Sequence, residues 1–350
     1  MKIAKRIEAI GALLVSRIPV AIAQRLRAPA SVDGQTLDPH LRIILGVNKG
    51  RGGFEKRANV EAARADYRHV ITMLEKPGPS VATRDQVVGD VPIRIYQPAA
   101  CDSLPCVVYF HGGGYAIGDL ETHDGVCSRF SHELQAIVIA VDYRLAPENP
   151  FPAGLDDCLA ITRWVVDSAG ELGIDSARIA LAGDSAGGNY AAVISQEVPG
   201  IVFQLLIYPG TDARSKTSSK KLFADGYGLD KSTIDWFFKQ YAQGEDRANP
   251  RISPAASTQL DRSPPTHIAT AGFDVLRDEG RAYAELLAQA NVACSHENHS
   301  TLSHGFIHFT RLPGCDAGLC GLIEVLRKGL NQNLNERRSS QNTAQSHPTL

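Results

Sequence analysis

Over the first quarter of the chain, apolar positions recur at helical spacing. Ile3, Ile7, Ile10, Leu14, Ile18, Ile22 and Leu26 step by three or four residues, which predicts an amphipathic helix interrupted at Pro19. A second helix is predicted over Asn59–Arg68, with Lys76-Pro-Gly-Pro79 ending the helical region. The texture then changes. Gln86–Val88 and Ile93–Tyr96 flank Gly89-Asp90 and read as a β-hairpin at a sheet edge. Beyond it lie short apolar runs: Cys106–Phe110, Ala136–Val141, Ile179–Leu181, Phe203–Tyr208, His267–Ala271 and a final Ala293–Glu297. Helical patterns at 123–134, 155–172, 186–195, 278–290 and 316–329 separate them. Strands that are apolar nearly throughout and alternate with helices predict an α/β fold, a mostly parallel central sheet with helices on both faces. Ligands of such sheets bind beyond the C-terminal ends of the strands.

One stretch breaks the alternation. Residues 211–254 carry a polar run, Arg214–Lys221, and then an aromatic helix, Thr233–Tyr241. The pattern fits a lid over the site or a surface excursion packing its own aromatics. After Leu330 no apolar period remains, so 331–350 are expected to be a disordered tail.

Composition narrows the picture without deciding it. A hydrophobic content of 43% and a net charge of −2 describe a soluble globular chain with no overall electrostatic pull toward nucleic acid or an anionic membrane. The seven cysteines, at 101, 106, 127, 158, 294, 315 and 320, form no CxxC pair. They are read as free thiols in a reducing compartment, with no disulfide at 101/106 or 315/320. The basic Met1–Arg6 followed by an apolar run imitates a signal peptide, but the run bracketed by Glu8 and Arg17 is short. No stretch is long enough to span a bilayer, so a cytoplasmic location is expected.

Candidate chemistry centres on Gly183-Asp-Ser-Ala-Gly187. An apolar run precedes it and a helix-compatible run follows, the strand–turn–helix context that a Gly-x-Ser-x-Gly nucleophile turn requires. Side chains two residues either side of Ser185 would crowd so tight a turn, hence the glycines. The following helix N-terminus favours a developing negative charge. His111-Gly112-Gly113-Gly114-Tyr115 directly follows a predicted strand and can turn backbone N–H groups toward an oxyanion, together with the N–H of Ala186. Its lack of GxGxxG spacing or a Gly-Lys-Ser/Thr ending argues against a phosphate loop. His111 is read as orienting this loop, not as transferring protons.

A serine nucleophile needs a base, and the base needs an orienting acid. In the chain order Ser–acid–His, Asp274 follows the strand His267–Ala271, while Asp278 and Glu279 look like first-turn acids of the next helix. Of the late histidines, His296 falls in a strand and His308 in a helix. His304 lies in a polar loop, 298–305, beside Gly305, and is preferred over His299.

With these residues in hand, the chain resembles the hormone-sensitive-lipase family of bacterial carboxylesterases, in its Gly-Asp-Ser-Ala-Gly branch. The matching stretches include His111–Tyr115, Gly118–His123, Val141–Glu148, Gly183–Asn189, Tyr208-Pro209, Asn249–Pro254, Gly272–Glu279 and Ser303–Phe306, in order over about 80–330. The resemblance implies an α/β-hydrolase fold, a Ser185–His304–Asp274 triad and an oxyanion hole of Gly113, Gly114 and Ala186. It also implies a helical cap from residues 1–75 and 211–254 over a catalytic domain at 80–330. The implied substrate is a short- to medium-chain acyl ester, with no metal or organic cofactor, and the family suggests dimerisation through the last sheet edge. A deacetylase or amidase of a small acetylated metabolite would use the same residues. A non-catalytic ligand-binding member typically lacks the histidine, which is present here. Two departures stand out: Val275 where the family has Pro, and a short stretch between Asn189 and Tyr208 that predicts an early end to the nucleophile helix, near Gln196.

Overall fold

The computed structural model describes residues 11, 14–48, 52–98 and 103–345, with side chains as far as Asn331. Ile3, Ile7, Ile10 and Cys101 lie outside the described residues. Among the described residues, 14–17 are helical, and after the interruption predicted at Pro19 come α1 (Val20–Leu26), α2 (Pro39–Asn48) and α3 (Val60–Leu74). Asn59 caps α3, its side-chain oxygen accepting the Ala62 N–H at 2.9 Å.

The rest is built on eight strands: β1 (Ala82–Val88), β2 (Val91–Gln97), β3 (Leu104–Phe110), β4 (Ile137–Val141), β5 (Ile174–Asp184), β6 (Phe203–Ile207), β7 (Thr266–Phe273) and β8 (Cys294–Ser303). Their order across the sheet is β1-β2-β4-β3-β5-β6-β7-β8. The β1–β2 hairpin is antiparallel, as is the β2–β4 pairing, and every pairing from β4 through β3 to β8 is parallel. Between them run α4 (Asp124–Leu134), α5 (Ala153–Asp167), α6 (Ala186–Glu197), α7 (Ser219–Leu222), α8 (Lys231–Tyr241), α9 (Arg277–Gln289) and α10 (Pro313–Gln345).

The central strands β3, β4, β6 and β7 are buried nearly throughout because both of their faces are covered. Val107 and Tyr109 of β3 and Val138 and Ala140 of β4 turn toward Phe130 of α4 and Leu319, Leu322 and Leu326 of α10. The alternate residues Cys106, Val108, Ile137 and Ile139 turn toward Leu155 and Ile161 of α5, Tyr190 of α6 and Tyr283 of α9. Two apolar layers, each excluding water from one sheet face, leave only the strand ends open to ligands.

Two elements outrun their predicted ends. β8 continues to Ser303, so residues 298–303 are strand where the sequence predicted a polar loop. It pairs with buried β7 through its backbone, which asks nothing of the side chains facing outward. α10 runs to Gln345, through most of the stretch predicted to be disordered. A helix already anchored by Leu319, Leu322 and Leu326 extends one hydrogen bond per residue without a new nucleus, so an apolar period is not needed. α6 ends at Glu197, one residue past the expected early stop.

Residues 211–254 lie between β6 and β7 and are tied to the sheet at both ends. Asn189, buried in α6, donates from Nδ2 to the Gly210 carbonyl (2.8 Å) and the Ile252 carbonyl (2.9 Å). Asn189→Ala leaves two carbonyls without this donor, and is expected to cost about 2–4 kcal/mol. Denaturant unfolding followed by circular dichroism measures it; an unchanged midpoint contradicts this anchoring role.

Candidate active site

β5 ends at Asp184 and α6 begins at Ala186, so the chain reverses at one residue. Ser185 sits there at φ = 53°, ψ = −114°, a conformation L-residues rarely adopt. Hydrogen bonds hold it: Ser185 N–H to the Ile207 carbonyl (2.8 Å) and Asn189 N–H to the Ser185 carbonyl (3.0 Å). A Cβ on Gly187 would overlap the carbonyl oxygen of Phe110, and one on Gly183 would overlap that of Gly187. Both glycines are therefore steric necessities of the turn.

His304 follows β8, and Gly305 at φ = 80° turns the chain behind it. Its Nδ1 lies 2.7 Å from Asp274 Oδ2, and its Nε2 lies 3.0 Å from Ser185 Oγ. Asp274, buried just past β7, accepts the Leu276 N–H at its other oxygen (2.9 Å). With Nδ1–H donated to Asp274, Nε2 is the nitrogen that can accept the serine proton. His304 is thus within hydrogen-bond reach of both other residues singled out from sequence, Asp274 and Ser185. His299 and His296 are on β8; His296 meets Thr270 (2.9 Å), and neither joins this chain. Glu279 proves to be more than a first-turn acid: it accepts the Thr211 N–H (2.8 Å) and the Ser215 hydroxyl (2.7 Å), fastening the 211–254 segment. Val275 uses its carbonyl to accept the Ser219 hydroxyl (2.9 Å), again toward that segment.

Gly113 (φ = 119°) and Gly114 (φ = 57°) form the bend after β3, and with Ser185 they line a cavity of about 190 Å³. Its walls include Ile44 and Leu45 of α2, Phe54, Tyr67 and Leu74, with Leu229 and Phe237 from the 211–254 segment. A second recess of about 60 Å³ shares Gly114, Ser185, Leu229 and Phe237 with it and is also lined by Ala186 and Phe238. The N-terminal helices meet the later segment above the site. Glu55 accepts hydroxyl hydrogen bonds from Thr233 (2.6 Å) and Ser232 (3.1 Å).

His111 stacks on Tyr143 with ring centroids 4.2 Å apart, and its Nδ1 lies 2.8 Å from the Gly112 carbonyl. Burial, with His123 adding to it, lowers its pKa to about 4, so it stays neutral. That suits a loop-orienting residue.

Behind the serine lies a group that sequence reasoning missed. Asp184 Oδ1 accepts the Gly112 N–H (2.8 Å) and the Tyr109 hydroxyl (2.8 Å), and lies 3.2 Å from His123 Nε2. His308 stands between two carboxylates, its Nε2 3.8 Å from Asp184 and its Nδ1 3.8 Å from Glu75, the residue that ends α3. Burial alone would raise the Asp184 carboxyl, but His123 and His308 outweigh it and hold the group well below the ordinary range. Burial would likewise lower His308; the two carboxylates overcome this and raise it to about 9. Among the described residues, His123, Asp184 and His308 are the set whose ligand atoms converge, within 4.8 Å, as a cation site would need. Each ring nitrogen of His308 faces a carboxylate, so the arrangement reads as a charge network with His308 as its cation. His123 lies in a motif quoted above, whereas nothing in the pattern around His308 distinguishes it from a core residue.

A family model for the alpha/beta hydrolase fold matches residues 107–308. This chain belongs to the α/β-hydrolase family. It is 38% identical over 344 residues to the carboxylic ester hydrolase LipN of Mycobacterium tuberculosis, an alignment covering 92% of each chain. It is 43% identical to the carboxylesterase NlhH of the same organism, over 84% of this chain and 97% of that one. A thermostable esterase from Pseudomonas putida ECU1011 superposes with a TM-score of 0.79 at 31% identity, over 86% of this chain and 99% of that one. The α/β-hydrolase is thus of the hormone-sensitive-lipase type that its motifs resemble.

Protonated His308 makes a testable contribution to stability. Its folded pKa of about 9 exceeds the ordinary 6.5, so the contribution is complete below pH 6.5 and lost as pH rises through 9. The size is about 3 kcal/mol at most. His308→Gln should lower the melting temperature at pH 6.5 and flatten its decline toward pH 9. A variant that keeps the wild-type pH dependence contradicts the assignment.

Proposed function

We propose that this α/β-hydrolase is a serine carboxylesterase acting on short- to medium-chain acyl esters. The observation carrying this reading is the unbroken contact from Asp274 through His304 to Ser185, 2.7 and 3.0 Å, at the C-terminal rim of the sheet. The names of its relatives support the reaction class.

In the proposed mechanism Ser185 Oγ attacks the ester carbonyl as His304 Nε2 takes its proton. Asp274 keeps Nδ1–H in place and stabilises the imidazolium. The carbonyl oxygen, now an oxyanion, accepts hydrogen bonds from the N–H groups of Gly113, Gly114 and Ala186, the last at the N-terminus of α6. His304 then protonates the departing alcohol oxygen, leaving an acyl group on Ser185. Water, deprotonated by His304, attacks that acyl carbon and restores the serine as the acid leaves.

Residues 1–75 and 211–254 act as the cap in this reading, supported by the walls they give to the cavity and by the Glu55 hydrogen bonds. The cavity of about 190 Å³ is below the roughly 300–1,000 Å³ of drug-sized ligand sites, which favours small acids. Its largely apolar walls favour alkyl chains over polar acyl groups. Ser185 and Phe237 line both recesses, so in this reading the acyl and alcohol parts occupy one recess each, with Phe237 between them. The free cysteines among the described residues suit a reducing, cytoplasmic setting.

Ser185→Ala should lower kcat for p-nitrophenyl butyrate by roughly 10⁶-fold, to background. Turnover within a hundredfold of wild type would sink the nucleophile assignment. Phe237→Ala joins the two recesses, and is expected to move the optimum of a p-nitrophenyl ester series to longer chains. An unchanged chain-length profile argues that Phe237 does not bound the acyl site.

A further inference from the structure

An apolar stripe at helical spacing normally faces a core, but among the described stripe residues only Ile18 is half-buried and the others are exposed. Of the stripe residues described, Leu14 is 60%, Ile22 49% and Leu26 61% exposed, and Val20 beside them is 50% exposed. α1 buries only Ala23. Val47, near the end of α2, is 74% exposed. Apart from Val87 and Leu222, these five are all the large apolar side chains exposed among the described residues. Single exposed leucines are ordinary, but a run concentrated in one segment marks a contact surface.

The charge there is one-sided. The first thirty residues hold six Lys or Arg and one acidic residue, Glu8, although the whole chain carries −2. Arg17, Arg25 and Arg27 are exposed beside the apolar positions, and no acid occurs from Leu14 to Val32. α1 is held on α2: His40 Nε2 lies 2.8 Å from the Ile18 carbonyl, and Arg27 Nη1 donates to the Arg42 carbonyl at 3.2 Å. α2 in turn lends Ile44 and Leu45 to the cavity.

We propose that α1, the turn before it and Val47 form a peripheral docking surface for an anionic lipid layer. The side chains of Leu14, Ile22 and Leu26 would enter the headgroup–acyl boundary, and Arg17 and Arg25 would stay among the phosphates. Both halves of this surface fit that occupant. A second copy would bring like charges together across a two-fold interface, and nucleic acid offers no apolar layer to receive the aliphatic side chains. Attachment is at the surface, since among the described residues no helix is long and apolar enough to cross a membrane. The net charge of the whole chain conceals the patch because acids elsewhere offset it. The proposal concerns binding and does not rest on the esterase reading.

The test is co-sedimentation of the full-length protein with phosphatidylglycerol–phosphatidylcholine vesicles and with pure phosphatidylcholine vesicles. Two variants accompany it, L14S/I22S/L26S and R17Q/R25Q, all at exposed positions, with melting temperatures measured as a check on folding. Wild type is expected to partition onto the anionic vesicles at least about tenfold more than onto the neutral ones. The partition should weaken with salt and fall about tenfold or more in each folded variant. Wild type left in the supernatant, equal partition onto both vesicles, or binding unaffected by either variant overturns the proposal. So does a dimer, seen by light scattering, that L14S/I22S/L26S dissociates while lipid binding is absent; the face then belongs to a second copy.

Discussion

A single backbone reversal constrains the rest of this molecule. β5 must deliver Ser185 to the top of the sheet and hand the chain to α6 within one residue, at a positive φ. That geometry exists only where the neighbouring backbones can come closer than any side chain allows. Gly187 lies against the end of β3 at Phe110, and Gly183 against Gly187 itself. The turn therefore dictates that β3 and β5 be neighbours, and the sheet order satisfies this. The cost of the strained residue, of order 1–3 kcal/mol, is offset by the packing of β5 and α6 around it.

Asp184 extends that constraint outward. It immediately precedes the serine, so its position is set by the same turn, yet its oxygens reach Gly112, Tyr109 and His123. The loop carrying Gly113 and Gly114 is in this way indexed to the serine through one buried carboxylate. Such a carboxylate is tolerable only beside positive charge, which His308 supplies. His308 also faces Glu75 at the end of α3, so the charge balance beneath the site includes a residue from the N-terminal helices. The helices above the cavity and the turn below it are coupled by this short path.

The sequence disclosed much of this, for identifiable reasons. Strands covered on both faces leave unbroken apolar runs, and glycines forced by steric contact cannot be replaced, so the sheet and the serine turn were both legible. Asp274 and His304 were legible through chain order and strand ends. What remained hidden depends on contacts between distant segments. The continuation of β8 through Ser303 depends on backbone pairing with β7, which leaves no mark on the outward side chains. The extension of α10 depends on an anchor many residues earlier. His308 looks like any other residue of a short helix until Asp184 and Glu75 are brought to either side of it. The N-terminal apolar stripe was legible as a pattern, but the exposure of Leu14, Ile22 and Leu26 was not, since periodicity alone does not say which way a face points.

The central claim is that Ser185 is the activated nucleophile of this fold. The most direct measurement is the intact mass of the protein after incubation with a fluorophosphonate, followed by peptide mapping of the adduct. The account predicts one adduct per chain, on Ser185, and none on Ser185→Ala. An unlabelled wild-type protein, or a label that persists on the variant, would contradict it.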